Sequence, residues 1–212
     1  MINNLDDFNL ERKTIYNIIS DIFILNPDKE LCNRLSSLEL WDFLGEYLED
    51  KNTSEKCMNH ILLALGDEKE MSRLNQIFEM SFVIPVANYF IPPFASAYIS
   101  YKEFRDNNEF YSLPEELNTI YGNYGIDFSS IHRSDHISII CAFMSILIVS
   151  ESKDKNSALL YEKNFFNRFI LNWAHIFFEE ISRKLEESFY KHFATLCKRF
   201  LEKEKTFFST LS

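Results

Sequence analysis

The side chains best suited to chemistry gather in one short stretch, His132-Arg133-Ser134-Asp135-His136. Two imidazoles four residues apart with a carboxylate beside them can ligate a divalent metal if they share a helical turn. A di-iron bundle, however, needs a glutamate three residues before its histidines. At that position before His60, His132, His136, His175 and His192 stand Cys57, Ser129, Arg133, Asn172 and Phe189. None is glutamate. A helical metal-dependent hydrolase built on His132, Asp135 and His136 is therefore the runner-up from a different class, and the chain is read as having no catalytic residue, no metal and no cofactor. Two other readings of the stretch are compatible with each other. In one, Ser134 or Asp135 caps a following helix through an oxygen that accepts a backbone N–H, with His136 in the first turn. In the other, Asp135 is a carboxylate at a loop mouth that pairs with an arginine of a bound peptide, and His136 orients it or adds an apolar face and an N–H.

A second group, Pro92-Pro93-Phe94-Ala95-Ser96-Ala97-Tyr98, has no reactive side chain, but it has rigidity and rings. Prolines hold an extended backbone at little entropic cost, so Phe94 and Tyr98 can form one wall of a groove, or else plug the core. Trp173 and its phenylalanine neighbours read as scaffold. Phosphate-cradling glycine motifs and the Gly-x-Ser-x-Gly nucleophile elbow are absent, and Gly122 and Gly125 mark a helix end instead. Cys32, Cys57, Cys141 and Cys197 are scattered, without a Cys-x-x-Cys pair, and read as buried or idle reduced thiols.

The elements that must position these groups follow from apolar spacing. Ile15, Ile18, Ile19, Ile22 and Leu25 share a helical face that Asn26-Pro27-Asp28 ends, with Pro27 suited to the first position of a short helix carrying Leu31 and Leu35. Leu40, Trp41, Leu44, Tyr47 and Leu48 form a third segment. Asn52-Thr53-Ser54-Glu55 and Asp67-Glu68-Lys69-Glu70 read as helix starts, with Gly66 as a cap between them. Pro85 and Pro92-Pro93 break the pattern and place an irregular, aromatic connector at residues 81–111. Ser112-Leu113-Pro114-Glu115 opens a helix that closes at Gly125, and a loop runs from Ile126 to Arg133. The apolar run Ile137–Val149 is too short for a bilayer, which takes about 20 residues, and reads as a buried helix. After a polar turn at Glu151 to Asn156, Phe165, Phe166, Phe169, Ile170, Trp173, Ile176 and Phe177 form an aromatic stripe. Phe189, Phe193, Leu196, Cys197 and Phe200 define the last helix.

Only 4 glycines and 5 prolines serve 212 residues, too few for a hairpin-rich sheet protein, so the class is all-α. The expected architecture is a single globular, bundle-like helical domain over residues 1–212, with about ten helices. A net charge of -10 repels phosphate backbones and anionic membranes and attracts basic peptides, which argues against nucleic acid as a partner. The acidic start lacks the basic and apolar regions of a secretory signal, so a cytoplasmic place without stable membrane insertion is expected.

Taken in order, these segments resemble the TorD/DmsD/NarJ family of redox-enzyme maturation chaperones, closest to the TorD/DmsD-like branch. Pro92-Pro93-Phe94-Ala95-Ser96-Ala97-Tyr98 is similar to that family's Pro-Pro-aromatic segment, and Gly125-Ile126-Asp127-Phe128 followed by Asp135-His136-Ile137 to its Asp-His pair before an apolar helix. Phe169-Ile170-Leu171-Asn172-Trp173 with Phe177, and Ser188-Phe189-Tyr190, are similar to its closing helices. The resemblance implies a non-enzymatic chaperone. Its partner would be the precursor of a molybdopterin oxidoreductase, bound through the twin-arginine signal peptide or the body until cofactor insertion, by a monomer or homodimer. It places peptide binding at Pro92, Pro93, Phe94, Ser96, Tyr98, Asp135 and His136. A NarJ-like assembly factor for a non-exported subunit is the alternative. Where the family often has an acidic residue and a proline before Asp-His, this chain has His132 and Arg133, which adds a positive charge at the site.

Overall fold

Helix accounts for nearly all regular structure in the computed structural model, which describes residues 2–24, 26–99, 112–128, 131–149 and 155–211. The all-α class expected from the glycine and proline counts is what forms, with ten α-helices among the described residues. The predicted turn at Glu151 to Asn156 falls mostly outside them, as do residues 100–111 of the connector and Ser129 and Ser130 of the loop. The chain gathers into two compact units, each built from two separate stretches.

The first unit comprises Met1–Phe23 and Pro93–Ala174. Its helices are α1 (Ile2–Ile24), α6 (Leu113–Asn123), α7 (Ile137–Val149) and α8 (Lys155–Phe166). As the apolar run predicts, α7 is buried on nearly every side, Val149 being exposed. Phe143 on α7 meets Tyr121, Tyr124 and Phe165 at ring-centroid distances of 4.7, 5.2 and 5.0 Å. The end of α6 explains its glycine: Gly125 has φ +71°, Ile126 N–H donates to Tyr121 C=O at 3.1 Å and Gly125 N–H to Gly122 C=O at 2.9 Å. That double closure needs a left-handed residue, which glycine adopts without a Cβ clash. At the other end of α6, Glu115 accepts from Ser112 N–H at 2.7 Å. Arg12 of α1 and Glu162 of α8 form a fully buried ion pair at 3.1 Å.

The second unit comprises Ile24–Pro92 and His175–Ser212. It holds α2 (Lys29–Leu35), α3 (Leu38–Tyr47), α4 (Lys51–Gly66), α5 (Glu68–Phe78) and α10 (Phe189–Ser209), together with α9 (Ala174–Lys184) beyond its first residue. Helix α4 packs against α3, α5 and α10. Trp41 lies fully inside, donating its indole N–H to Leu35 C=O at 2.6 Å, and Ser54 donates to Trp41 C=O. Gly45 lies where α4 crosses, since a Cβ there would sit 3.0 Å from the Lys51 Cα.

Three predicted boundaries shift, each for the same reason. Asp28 rather than Pro27 opens α2, accepting from Leu31 N–H at 2.7 Å, and Asp50 opens α4 two residues before the predicted start, accepting from Thr53 N–H at 3.1 Å. Aspartate satisfies the orphan donors of a first turn directly, so the helix begins at it. Gly66 is simply the last residue of α4, and Asp67 both ends α4 and caps α5. The aromatic stripe is also not one helix: a π turn at Asn167–Leu171 separates α8 from α9, and Ile176 is exposed while the other members are buried. All four cysteines are buried free thiols, as expected, and burial raises the pKa of Cys32 to about 11. No described helix is long and apolar enough to cross a membrane.

Candidate functional site

The site grows from the N-terminus of α7. The first N–H groups of any helix lack partners within it. Here Ile137 N–H donates to Pro93 C=O at 2.8 Å, and Ser138 N–H donates to Nδ1 of His136 at 3.2 Å. The His136 carbonyl accepts the first helical bond, from Ile140, at 3.0 Å. The capping role expected of Ser134 or Asp135 therefore belongs to His136, whose ring acts as the acceptor. Ser134 is tied away by Asn118, to which its hydroxyl donates, and by Tyr121, whose hydroxyl donates to the Ser134 carbonyl at 2.9 Å.

An accepting Nδ1 must be unprotonated, which places the proton of the neutral ring on Nε2. The surroundings enforce this. Burial, followed by the neighbouring His132 and the Arg133 charge, lowers the His136 pKa to about 3 from its ordinary 6.5. An unfolded chain binds this proton below pH 6.5 and the folded one does not, so stability is present above that value and is lost as pH falls from 6.5 toward 3. The contribution is up to about 1.4 kcal/mol for each pH unit in that window. His136→Asn, which keeps an uncharged acceptor, is expected to flatten that slope in urea unfolding compared between pH 7.5 and 5.0; an unchanged slope would assign the pH dependence elsewhere.

Asp135 is fully buried, and its carbonyl and both carboxylate oxygens are engaged. Its carbonyl accepts from Ala95 N–H at 2.9 Å, and Oδ2 accepts from Ser96 N–H at 3.1 Å. Arg133 approaches the same carboxylate with Nε on Oδ1 at 3.1 Å and Nη2 on Oδ2 at 3.2 Å, and Nη2 also donates to the Ser96 hydroxyl at 2.9 Å. The guanidinium lies 4.6 Å from the centre of the Phe94 ring. Carboxylate, hydroxyl and aromatic face thus form a cradle shaped for a planar cation, and the chain's own Arg133, with its side chain half exposed, fills it. His136 packs edge-on against Phe94 at 5.3 Å and stacks on His132 at 4.1 Å.

The residues singled out from sequence divide accordingly. Phe94, Ser96, Asp135 and His136 converge; Phe94 and His136 also pair as an isolated antiparallel bridge. Pro93 contributes its carbonyl. Tyr98 stacks instead on Trp173 at 5.7 Å, which makes that buried tryptophan the backing of the segment. Pro92 falls in the second unit, and Pro93 in the first. His132, Asp135 and His136 do not bring their ligand atoms to a common point, because Asp135 is taken by Arg133 and Ser96 and Nδ1 of His136 by Ser138. Arg133 enters the sequence reading only as a charge; its occupation of the cradle depends on a backbone turn that spacing does not reveal.

A family model described as nitrate reductase delta subunit matches residues 43–179. No curated protein and no solved structure matches the chain. The matched span takes in α7, the proline-aromatic segment and the Asp-His pair, and the chain belongs to the nitrate reductase delta subunit family of molybdoenzyme-maturation chaperones, of the TorD/DmsD/NarJ type.

Proposed function

We propose that the chain is a cytoplasmic chaperone that recognises the twin-arginine signal peptide of a molybdopterin oxidoreductase precursor and delays export until the cofactor is in place. The observation that supports this reading is the cradle of Asp135, Ser96 and Phe94 with an arginine already in it. A site that holds Arg133 by two parallel N–H donors and an aromatic face suits an arginine of a client better than a lysine, which lacks the planar fork. In this reading a client arginine takes the place of Arg133, and the apolar stretch that follows it supplies most of the affinity. The net charge of -10 speeds the encounter with a basic segment.

Titration of a synthetic twin-arginine signal peptide tests it. Asp135→Ala and Phe94→Ala are expected to weaken binding roughly ten- to a hundredfold, the scale of one charge-assisted contact. Replacing both peptide arginines by lysine is expected to do the same, and Arg133→Ala to tighten binding by removing the competitor. Folded Asp135→Ala and Phe94→Ala variants that bind like the parent chain would sink the site. A second reading, a NarJ-like factor for a non-exported catalytic subunit, draws support from the name of the matching family and from the cradle being already filled. Binding of a catalytic subunit that lacks any signal peptide, unaffected by Asp135→Ala, would favour it.

A further inference from the structure

Away from the arginine cradle, within the second unit, three side chains from separate elements meet: His60 on α4, Glu187 in the turn before α10, and His192 on α10. One ligand atom from each lies within 4.8 Å of the others. His192 Nε2 and Glu187 Oε1 are 2.5 Å apart, and the His60 and His192 rings stack with centroids 5.6 Å apart. We propose that His60, Glu187 and His192 form a binding site for one zinc-class divalent cation, with the fourth position left to water or another small donor.

Two imidazoles and one carboxylate are the ligand set that late first-row divalent ions prefer, and three protein ligands leave a tetrahedral ion one open position. The site has one fixed and two adjustable members. His192 is buried, on a helix whose cap is set by Ser188 accepting from Lys191 N–H at 3.4 Å. His60 is half-buried, and the Glu187 side chain is exposed, so both can rotate to the roughly 2.0–2.2 Å bonds an ion demands. Glu187 also lines a cavity of about 280 Å³ with Arg73, Met80, Tyr89 and Lys184. A bound ion would join α4 to α10 by a bridge independent of the peptide site.

The test uses full-length protein without an affinity tag, stripped with chelator and titrated with Zn²⁺ by calorimetry and thermal unfolding. One ion per chain is expected, with the unfolding midpoint raised by roughly 5–10 °C at saturation, the response to ligand at about a hundred times its dissociation constant. His60→Ala, a half-buried position that tolerates truncation, is expected to lower affinity on the order of a hundredfold while leaving the metal-free midpoint near the parent value. Glu187→Gln should weaken binding without abolishing it, and Mg²⁺ should not compete. No binding of Zn²⁺, parent-like affinity in His60→Ala, or equal binding of Mg²⁺ would each overturn the proposal. Because the arginine cradle shares no residue with this site, peptide affinity stays the same in His60→Ala.

Discussion

Glu162→Ala is expected to cost about 3–5 kcal/mol of folding stability, because it removes a carboxylate 3.1 Å from a guanidinium in a fully buried position. Arg12 also bonds Asn9 at 3.1 Å and lies 5.7 Å from the Phe8 ring, and neither of those side chains carries a charge. Replacing both members, as Arg12→Met with Glu162→Leu, is expected to recover most of the loss, since an apolar pair of similar volume has no desolvation penalty. Urea unfolding of the two single variants and the double variant measures this directly. A single variant that loses less than about 1 kcal/mol would mean that water reaches the pair, contrary to its burial.

Trp173→Ala is expected to be about as severe, roughly 3–5 kcal/mol. The side chain is fully buried, stacks on Tyr98, and donates its indole N–H to Phe169 C=O at 2.6 Å, inside the π turn that separates α8 from α9. Trp173→Phe keeps a ring against Tyr98 but loses the donor and part of the buried volume, so a smaller cost of about 1–3 kcal/mol is expected. Comparing the two in chemical denaturation separates packing from hydrogen bonding; equal losses would make the indole N–H the dominant contribution.

Helices were legible from sequence wherever a regular apolar face had to be buried. The Phe189 to Phe200 spacing, the run from Ile137 to Val149 and the Ser112 and Gly125 ends all reappear as α10, α7 and the two ends of α6. Boundaries were less legible where several cap-forming residues stood close together: Asp50 outcompeted Asn52 for α4, and His136 outcompeted both Ser134 and Asp135 for α7, because the neighbouring chain had already claimed their oxygens. The π turn at Asn167–Leu171 was invisible because its residues keep a pattern that an α-helix also satisfies. At the candidate site, residue types pointed to Phe94, Ser96, Asp135 and His136 but not to the self-bound Arg133. His60, Glu187 and His192 carried no signal at all. His60 is far in sequence from Glu187 and His192, so only the packing of α4 beside α10 brings the three together.

The interleaved make-up of the first unit has a consequence for synthesis on the ribosome. Arg12 and Glu162 are 150 residues apart, and Ser96 and Asp135 are 39 apart. At about 5–20 residues per second, Arg12 waits roughly 8–30 s for Glu162 to be made, while the chain of the second unit up to Pro92 emerges in between. The cradle can close sooner, once α7 has been made, because both of its strands of backbone lie between Pro93 and Ile137. A nascent chain can therefore assemble the cradle around Arg133 before Arg12 of α1 meets Glu162.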